Sequence, residues 1–105
     1  MIVVCFRAIS GCMRRHSFLL RLNSSRSFSI GRSKSNSICI AKDIFVSRSH
    51  AKGTIENGKL IIEDSGSKNG TYVNGKKITT SQQIALGASF KVGESTIRFD
   101  GLRVA

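Results

Sequence analysis

The sequence predicts an all-β fold, an antiparallel β-sandwich of roughly eleven strands, and three observations carry that expectation. Short apolar runs with period-two alternation recur along the chain, as in Phe28/Ile30, Ile38/Ile40, Phe90/Val92 and Ile97/Phe99. Turn residues punctuate these runs closely, above all Asn57-Gly58 and Asn74-Gly75. Asn-Gly between two such runs favours a type I′ hairpin, because both central residues there take φ > 0. Beyond residue 25 no stretch of about ten residues holds a helical period. Many short strands joined by tight turns point to a sandwich or barrel.

Taken in order, Met1 to Ile9 is rich in β-branched residues and reads as an opening strand, closed by Ser10-Gly11. Phe18, Leu20 and Leu22 alternate as a strand does, although Leu19 interrupts them. An amphipathic, Arg-bearing helix over Met13 to Leu22 is the alternative; the strand is preferred because every later element has strand character. The stretch from Ser24 to Ser37 is rich enough in serine to form a mobile loop, yet within it Phe28 and Ile30 alternate with serines and run directly into Gly31. Ala51 to Glu56 and Lys59 to Glu63 flank the first Asn-Gly, and Tyr72-Val73 and Lys77-Ile78 flank the second. Gly93-Glu94 turns the last pair of strands.

A chain of 105 residues supports one hydrophobic core, so residues 1–105 are expected to form a single domain. Residues 1–25 would be either divergent first strands or a partly flexible basic segment. Lys and Arg total 17 against 6 Asp and Glu, a net charge of +11, which favours anionic partners without choosing among them. The charge is uneven: residues 1–42 hold eight cations and no acid, and the remainder holds nine cations and all six acids. An acid-free start rich in Arg and Ser resembles an organellar transit peptide. The competing and preferred reading has residues 1–30 supply the first strands. No secretory signal stands out and no apolar run approaches the ~20 residues of a membrane span. Cys5, Cys12 and Cys39 are odd in number and lack Cys-x-x-Cys spacing, so free thiols in a reducing cytoplasm are expected (or a nucleus, in a eukaryotic chain). A zinc site joining them to His16 or His50 lacks tetrahedral ligand spacing. No metal and no cofactor are expected.

Three polar clusters fall between the apolar runs: Gly31-Arg32, Ser47-Arg48-Ser49-His50, and the stretch from Asp64 to Gly75 that contains Lys68-Asn69-Gly70-Thr71 and Asn74. Each joins a glycine or small hydroxyl to a cation or an amide, as a loop-built anion site requires. Singly they have plain readings: a turn glycine before a solvated Arg, a Ser turn satisfying local backbone, and a loop with Gly70 at φ > 0. His50 beside Ser47 and Ser49 invites a catalytic reading, but no orienting acid, oxyanion hole or Gly-x-Ser-x-Gly elbow accompanies it, and no enzyme is expected.

In this order, spread over nearly the whole chain, the three clusters resemble the forkhead-associated (FHA) domain, a phosphothreonine-peptide reader. The resemblance implies that Arg32 and Ser47 contact the phosphate, with Arg48 and Lys68 as further contacts and Asn69 gripping the peptide main chain. Lys68 departs from the Thr or Ser common there. Gly31, His50, Gly70, Thr71 and Asn74 would support the loops, His50 by tying its loop to neighbouring backbone. Phe45 would lie near where the third residue after the phosphothreonine is sampled. The implied partner is a threonine-phosphorylated protein or peptide, met by a monomer without membrane contact, in signalling by protein–protein interaction. One rival is a basic nucleic-acid-binding β protein, disfavoured because six Phe and one Tyr do not interleave with the cations as a stacking platform. The other is an assembly module of the same fold that ignores phosphate, disfavoured by the presence of Arg32, Ser47 and Asn69.

Overall fold

The structure, a computed structural model, describes residues 1–24 and 26–104; Ser25, in the serine-rich stretch, and Ala105 lie outside the described residues. Eleven strands form: β1 Ile2–Ser10, β2 Ser17–Leu22, β3 Ser27–Gly31, β4 Ile38–Cys39, β5 Ala51–Glu56, β6 Lys59–Asp64, β7 Thr71–Val73, β8 Lys76–Lys77, β9 Gln82–Ile84, β10 Ser89–Val92 and β11 Ser95–Val104. They make two sheets, a six-stranded one in the order β2-β1-β11-β10-β7-β8 and a five-stranded one in the order β4-β3-β5-β6-β9. All pairings are antiparallel except β3 with β4, where Ile30 lies beside Ile38 in a parallel bridge.

The strand reading of residues 17–22 holds, and its reason is packing rather than propensity. Along β2 the residues Phe18, Leu20 and Leu22 turn inward while Leu19 and Arg21 stay exposed, so Leu19, which breaks the sequence pattern, simply occupies an outward position. One strand and the extension of another were hidden from pattern reading. Gln82–Ile84 is too polar to announce itself, and it forms only because Ile62 and Leu60 offer an unpaired strand edge. The final strand continues past Phe99 to Val104 because β1 provides a long partner, with a bulge opposite Cys5/Phe6 that admits Asp100. The Asn-Gly hairpins form as the sequence predicts, with Asn57 and Asn74 each at φ 53° ahead of their glycines.

The inward positions of both sheets meet in one core. Phe6 of the six-stranded sheet packs on Phe28 of the five-stranded sheet with ring centroids 5.4 Å apart, and on Phe99 and Phe90 at 5.8 and 6.4 Å. Such tilted and edge-on pairs add about 0.5–1.5 kcal/mol each beyond their area. Ile30, Ile38, Ile40, Ile55, Leu60, Ile62 and Ile97 fill the space around them.

The antiparallel course places the β1–β2, β4–β5, β6–β7 and β10–β11 connections at one end of the sandwich, where the β3–β4 connection also begins at Gly31. That end is stitched together by Asp43, a buried carboxylate in the β4–β5 loop. Its Oδ2 accepts from the Glu94 N–H at 2.9 Å and from the Ser95 hydroxyl at 2.7 Å, while Oδ1 accepts from the Phe45 N–H at 3.0 Å. The loop that carries Ser47 and Arg48 is thereby fixed to the opposite sheet.

Candidate functional site

Three connections converge at this end, and hydrogen bonds between them set their spacing. The β3–β4 connection begins at Gly31, which is buried and has no room for a side chain. A Cβ there would stand 2.2 Å from the Arg48 carbonyl oxygen and 2.6 Å from the Asn36 amide nitrogen. This close approach brings the two chains into register: Arg32 N–H donates to the Ser47 carbonyl at 3.0 Å, and Arg32 Nε–H donates to the Val46 carbonyl at 3.0 Å. The guanidinium is held by one edge through Nε, and Arg32 is exposed. Asn36 completes the joint by donating to the carbonyls of Arg48 and Ser33 at 2.7 and 2.9 Å.

The β4–β5 loop is locked from beneath by His50, whose side chain is wholly buried. Ser47 N–H donates to His50 Nδ1 at 3.0 Å, so that nitrogen is an acceptor and the proton resides on Nε2, which donates to the Gly70 carbonyl at 2.9 Å. Both ring nitrogens are committed to backbone. His50 thus bonds the backbone of its own loop and that of the β6–β7 loop.

The β6–β7 loop folds around Asp64. Its Oδ2 accepts from the N–H groups of Gly66 and Ser67 at 3.0 and 2.9 Å, and its Oδ1 accepts from the hydroxyls of Ser67 and of the buried Thr71, the latter at 2.8 Å. Burial opposes the charged form of Asp64. The hydrogen bonds from Ser67, Thr71 and Gly66 outweigh it and hold the carboxyl below its ordinary range. Gly70 adopts φ 85°, and the Lys77 stem from β8 crosses where its Cβ would stand, with Cε 2.7 Å away. Gly70 N–H donates to Ser67 Oγ at 2.9 Å.

Two further bonds join the second and third loops. Lys68 N–H donates to Ser47 Oγ at 3.0 Å, which leaves the hydroxyl proton to be donated elsewhere, and Asn69 Nδ2 donates to the Phe45 carbonyl at 2.9 Å. The structure thus brings Arg32, Ser47 and Asn69 together, each linked directly to residues 45–47 of the central loop. Arg48 and Lys68 lie on the same loops with exposed side chains. Among the described residues, the only ion pairs are those of Arg7 and Arg98 with Asp100, so no acid neutralises Arg32, Arg48 or Lys68. Asn74 stands apart, in the β7–β8 turn at the other end of β7.

Sequence reasoning missed Asp43, Asn36, Ser67 and Lys77. Asp43 and Asp64 carried a local signal, since an Asp carboxylate that accepts from the backbone N–H two residues on makes the common Asx-turn. Asn36 and Lys77 gave none, because their partners are distant in sequence.

Comparison with known proteins shows the family of the chain. The family model described as the FHA domain matches residues 28–93, well over half of the chain. The chain therefore belongs to the FHA domain family. It is 32% identical over 68 residues to the FHA domain-containing protein FhaB of Mycolicibacterium smegmatis and 31% identical to FhaB of Mycobacterium tuberculosis, matches that span 65% of this chain and 43% of each relative. The chain thus spans less than half the length of the curated relatives it matches. Among solved structures, the FHA domain of the CT664 protein from Chlamydia trachomatis superposes with a TM-score of 0.79 at 25% identity, covering 98% of both chains. A second, from a structural and functional analysis of phosphothreonine-dependent FHA domain interactions, gives 0.76 at 27% identity over 98% of this chain and 97% of the other.

Proposed function

We propose that the chain is a phosphothreonine-peptide-binding module that mediates phosphorylation-dependent protein–protein interaction, by binding and without chemistry. Arg32 and Ser47 hold the phosphate, Arg48 and Lys68 add charge, and Asn69 grips the peptide main chain. The observation that carries the reading is the hydrogen-bonded convergence of Arg32, Ser47 and Asn69 on residues 45–47, in a setting where, among the described residues, no carboxylate pairs with the loop cations. A dianionic phosphate meeting a guanidinium that is already held by one edge gains charge-assisted hydrogen bonds at little ordering cost. Solved FHA domains support the ligand class, since one belongs to a study of phosphothreonine-dependent interactions and another is complexed with the intracellular domain of Rv3910.

Isothermal calorimetry with a phosphothreonine peptide tests the proposal. Arg32→Ala and Ser47→Ala each abolish measurable binding while the circular dichroism melt stays that of a folded protein; unchanged affinity in either variant overturns it. A phosphoserine peptide lacks the threonine methyl, worth about 0.8 kcal/mol by area, so it binds about fourfold more weakly on that ground alone. The proposal extends to a single domain acting as a monomer in a reducing cytoplasm, supported by three free cysteines. Among the described residues no helix is long and apolar enough to cross a membrane.

A further inference from the structure

The two outer sheet faces differ sharply in charge. The strands of the five-stranded sheet carry two cations and three acids, and its two Lys residues are answered across the ladder, Lys52 opposite Glu63 and Lys59 opposite Glu56. The strands of the six-stranded sheet carry seven cations and one acid. Alternation points Arg7, Lys91 and Arg98 outward, since each stands between two buried core residues. Arg21, Arg7, Lys91 and Arg103 are likewise exposed on this sheet.

One arrangement there works against the fold. Arg7 lies directly opposite Arg98 in the β1–β11 ladder, and like charges at such positions are destabilising. Asp100, admitted at the bulge, answers both: Arg98 forks onto its two carboxylate oxygens and Arg7 Nε stands 3.8 Å away. One carboxylate for two guanidinia leaves the face strongly positive. Nothing in the core requires this, because the other sheet reaches the same architecture with balanced pairs.

We propose that the outer face of the six-stranded sheet is a second docking surface, separate from the loop site, for an acidic polypeptide. Carboxylates are the favoured ligand because the face already holds one in a guanidinium fork. Aliphatic side chains also lie among the cations, with Ile9 40% and Leu19 54% exposed, which suits the mixed acidic and apolar surface of a protein. The phenylalanines of these strands, Phe6, Phe18, Phe90 and Phe99, belong to the core or pack against it, so a nucleic acid finds the half-buried Tyr72 as a poor platform for stacked bases.

The test compares two double charge reversals that alter net charge equally on different faces, each shown to be folded by its circular dichroism melt because the second sets Glu opposite Glu63 and Glu56. Arg21→Glu with Lys91→Glu changes the six-stranded face, and Lys52→Glu with Lys59→Glu changes the five-stranded face. At an ionic strength of about 0.15 M, the first weakens binding of poly-L-glutamate by about tenfold and the second by less than about twofold. Binding of a phosphothreonine peptide at the loops is unchanged in both. Amide shift mapping on the unaltered protein, which needs no variant to fold, places the poly-L-glutamate contacts on β1, β10 and β11. The proposal is overturned if the unaltered protein does not bind poly-L-glutamate, if both doubles weaken binding equally, or if shifts spread over both faces. It is also overturned if a random-sequence oligonucleotide or phosphatidylserine vesicles bind more tightly and show the dependence on Arg21 and Lys91 instead.

Discussion

Replacing His50 by Ala removes the one side chain that ties the second loop to the third from below. The consequences follow from its two hydrogen bonds. The Gly70 carbonyl sits at a buried residue and is left without its donor, which costs about 1–3 kcal/mol. The Ser47 N–H is at a half-buried residue that water can reach, so its loss is about 1 kcal/mol. Lost packing of a wholly buried ring adds about 1 kcal/mol more. The sum is about 4 kcal/mol, a large share of the ~5–15 kcal/mol that stabilises a typical domain. With a urea m-value of about 1.5 kcal/mol/M, the unfolding midpoint falls by about 2.7 M. Urea titration followed by circular dichroism measures this, and calorimetry in the native range reports the accompanying loss of phosphopeptide affinity. His50→Gln supplies one acceptor and one donor, and it recovers part of both losses, as a residue acting through loop support should. A change below about 1 kcal/mol in His50→Ala, or no difference between the Ala and Gln variants, refutes the reasoning.

The remaining expectations concern the other loops. The Asp64 carboxyl lies below its unfolded value when folded, so its contribution is present above the ordinary carboxylate range near pH ~4 and is lost as pH falls through the folded pKa. Asp64→Asn therefore flattens the acid limb of stability against pH, and at neutral pH costs about 1–2 kcal/mol after allowance for solvent, read by thermal melts from pH ~2 to ~7. Gly31→Ala forces the Arg48 carbonyl away, 2.2 Å being far inside contact distance; phosphopeptide affinity falls by more than tenfold (about 1.4 kcal/mol or more), and calorimetry on the folded variant checks it. Gly70→Ala meets both a left-handed backbone and the Lys77 stem, so stability drops by about 1–3 kcal/mol in the same urea assay.

Much of the candidate site was legible because it is written in consecutive letters. Gly31-Arg32, Ser47-Arg48-Ser49-His50 and Lys68-Asn69-Gly70-Thr71 each lie within one loop, and the alternation of Phe28/Ile30 or Phe90/Val92 shows which loops they must be. Where the pattern was silent, the determinant was distant. Gln82–Ile84 has no strand signal of its own and pairs because β6 leaves an edge open. The role of Lys77 depends on an empty space above Gly70, and that of Asp43 on N–H and hydroxyl groups some fifty residues away.

The order of apolar runs and Asn-Gly turns determined, from the sequence alone, that this chain is a β-sandwich with its polar loops between strands. Period-two burial and φ > 0 turns are local requirements that local residues satisfy. Which side chains meet, and how each sheet face is charged, only the tertiary structure decided. Arg7 lies against Arg98 because strand register sets that distance, and Arg32 meets Val46 and Asn69 meets Phe45 because hydrogen bonds between separate loops hold them there. Register is fixed jointly by the packing of both sheets around Phe6 and Phe28, a condition that no short stretch of residues contains.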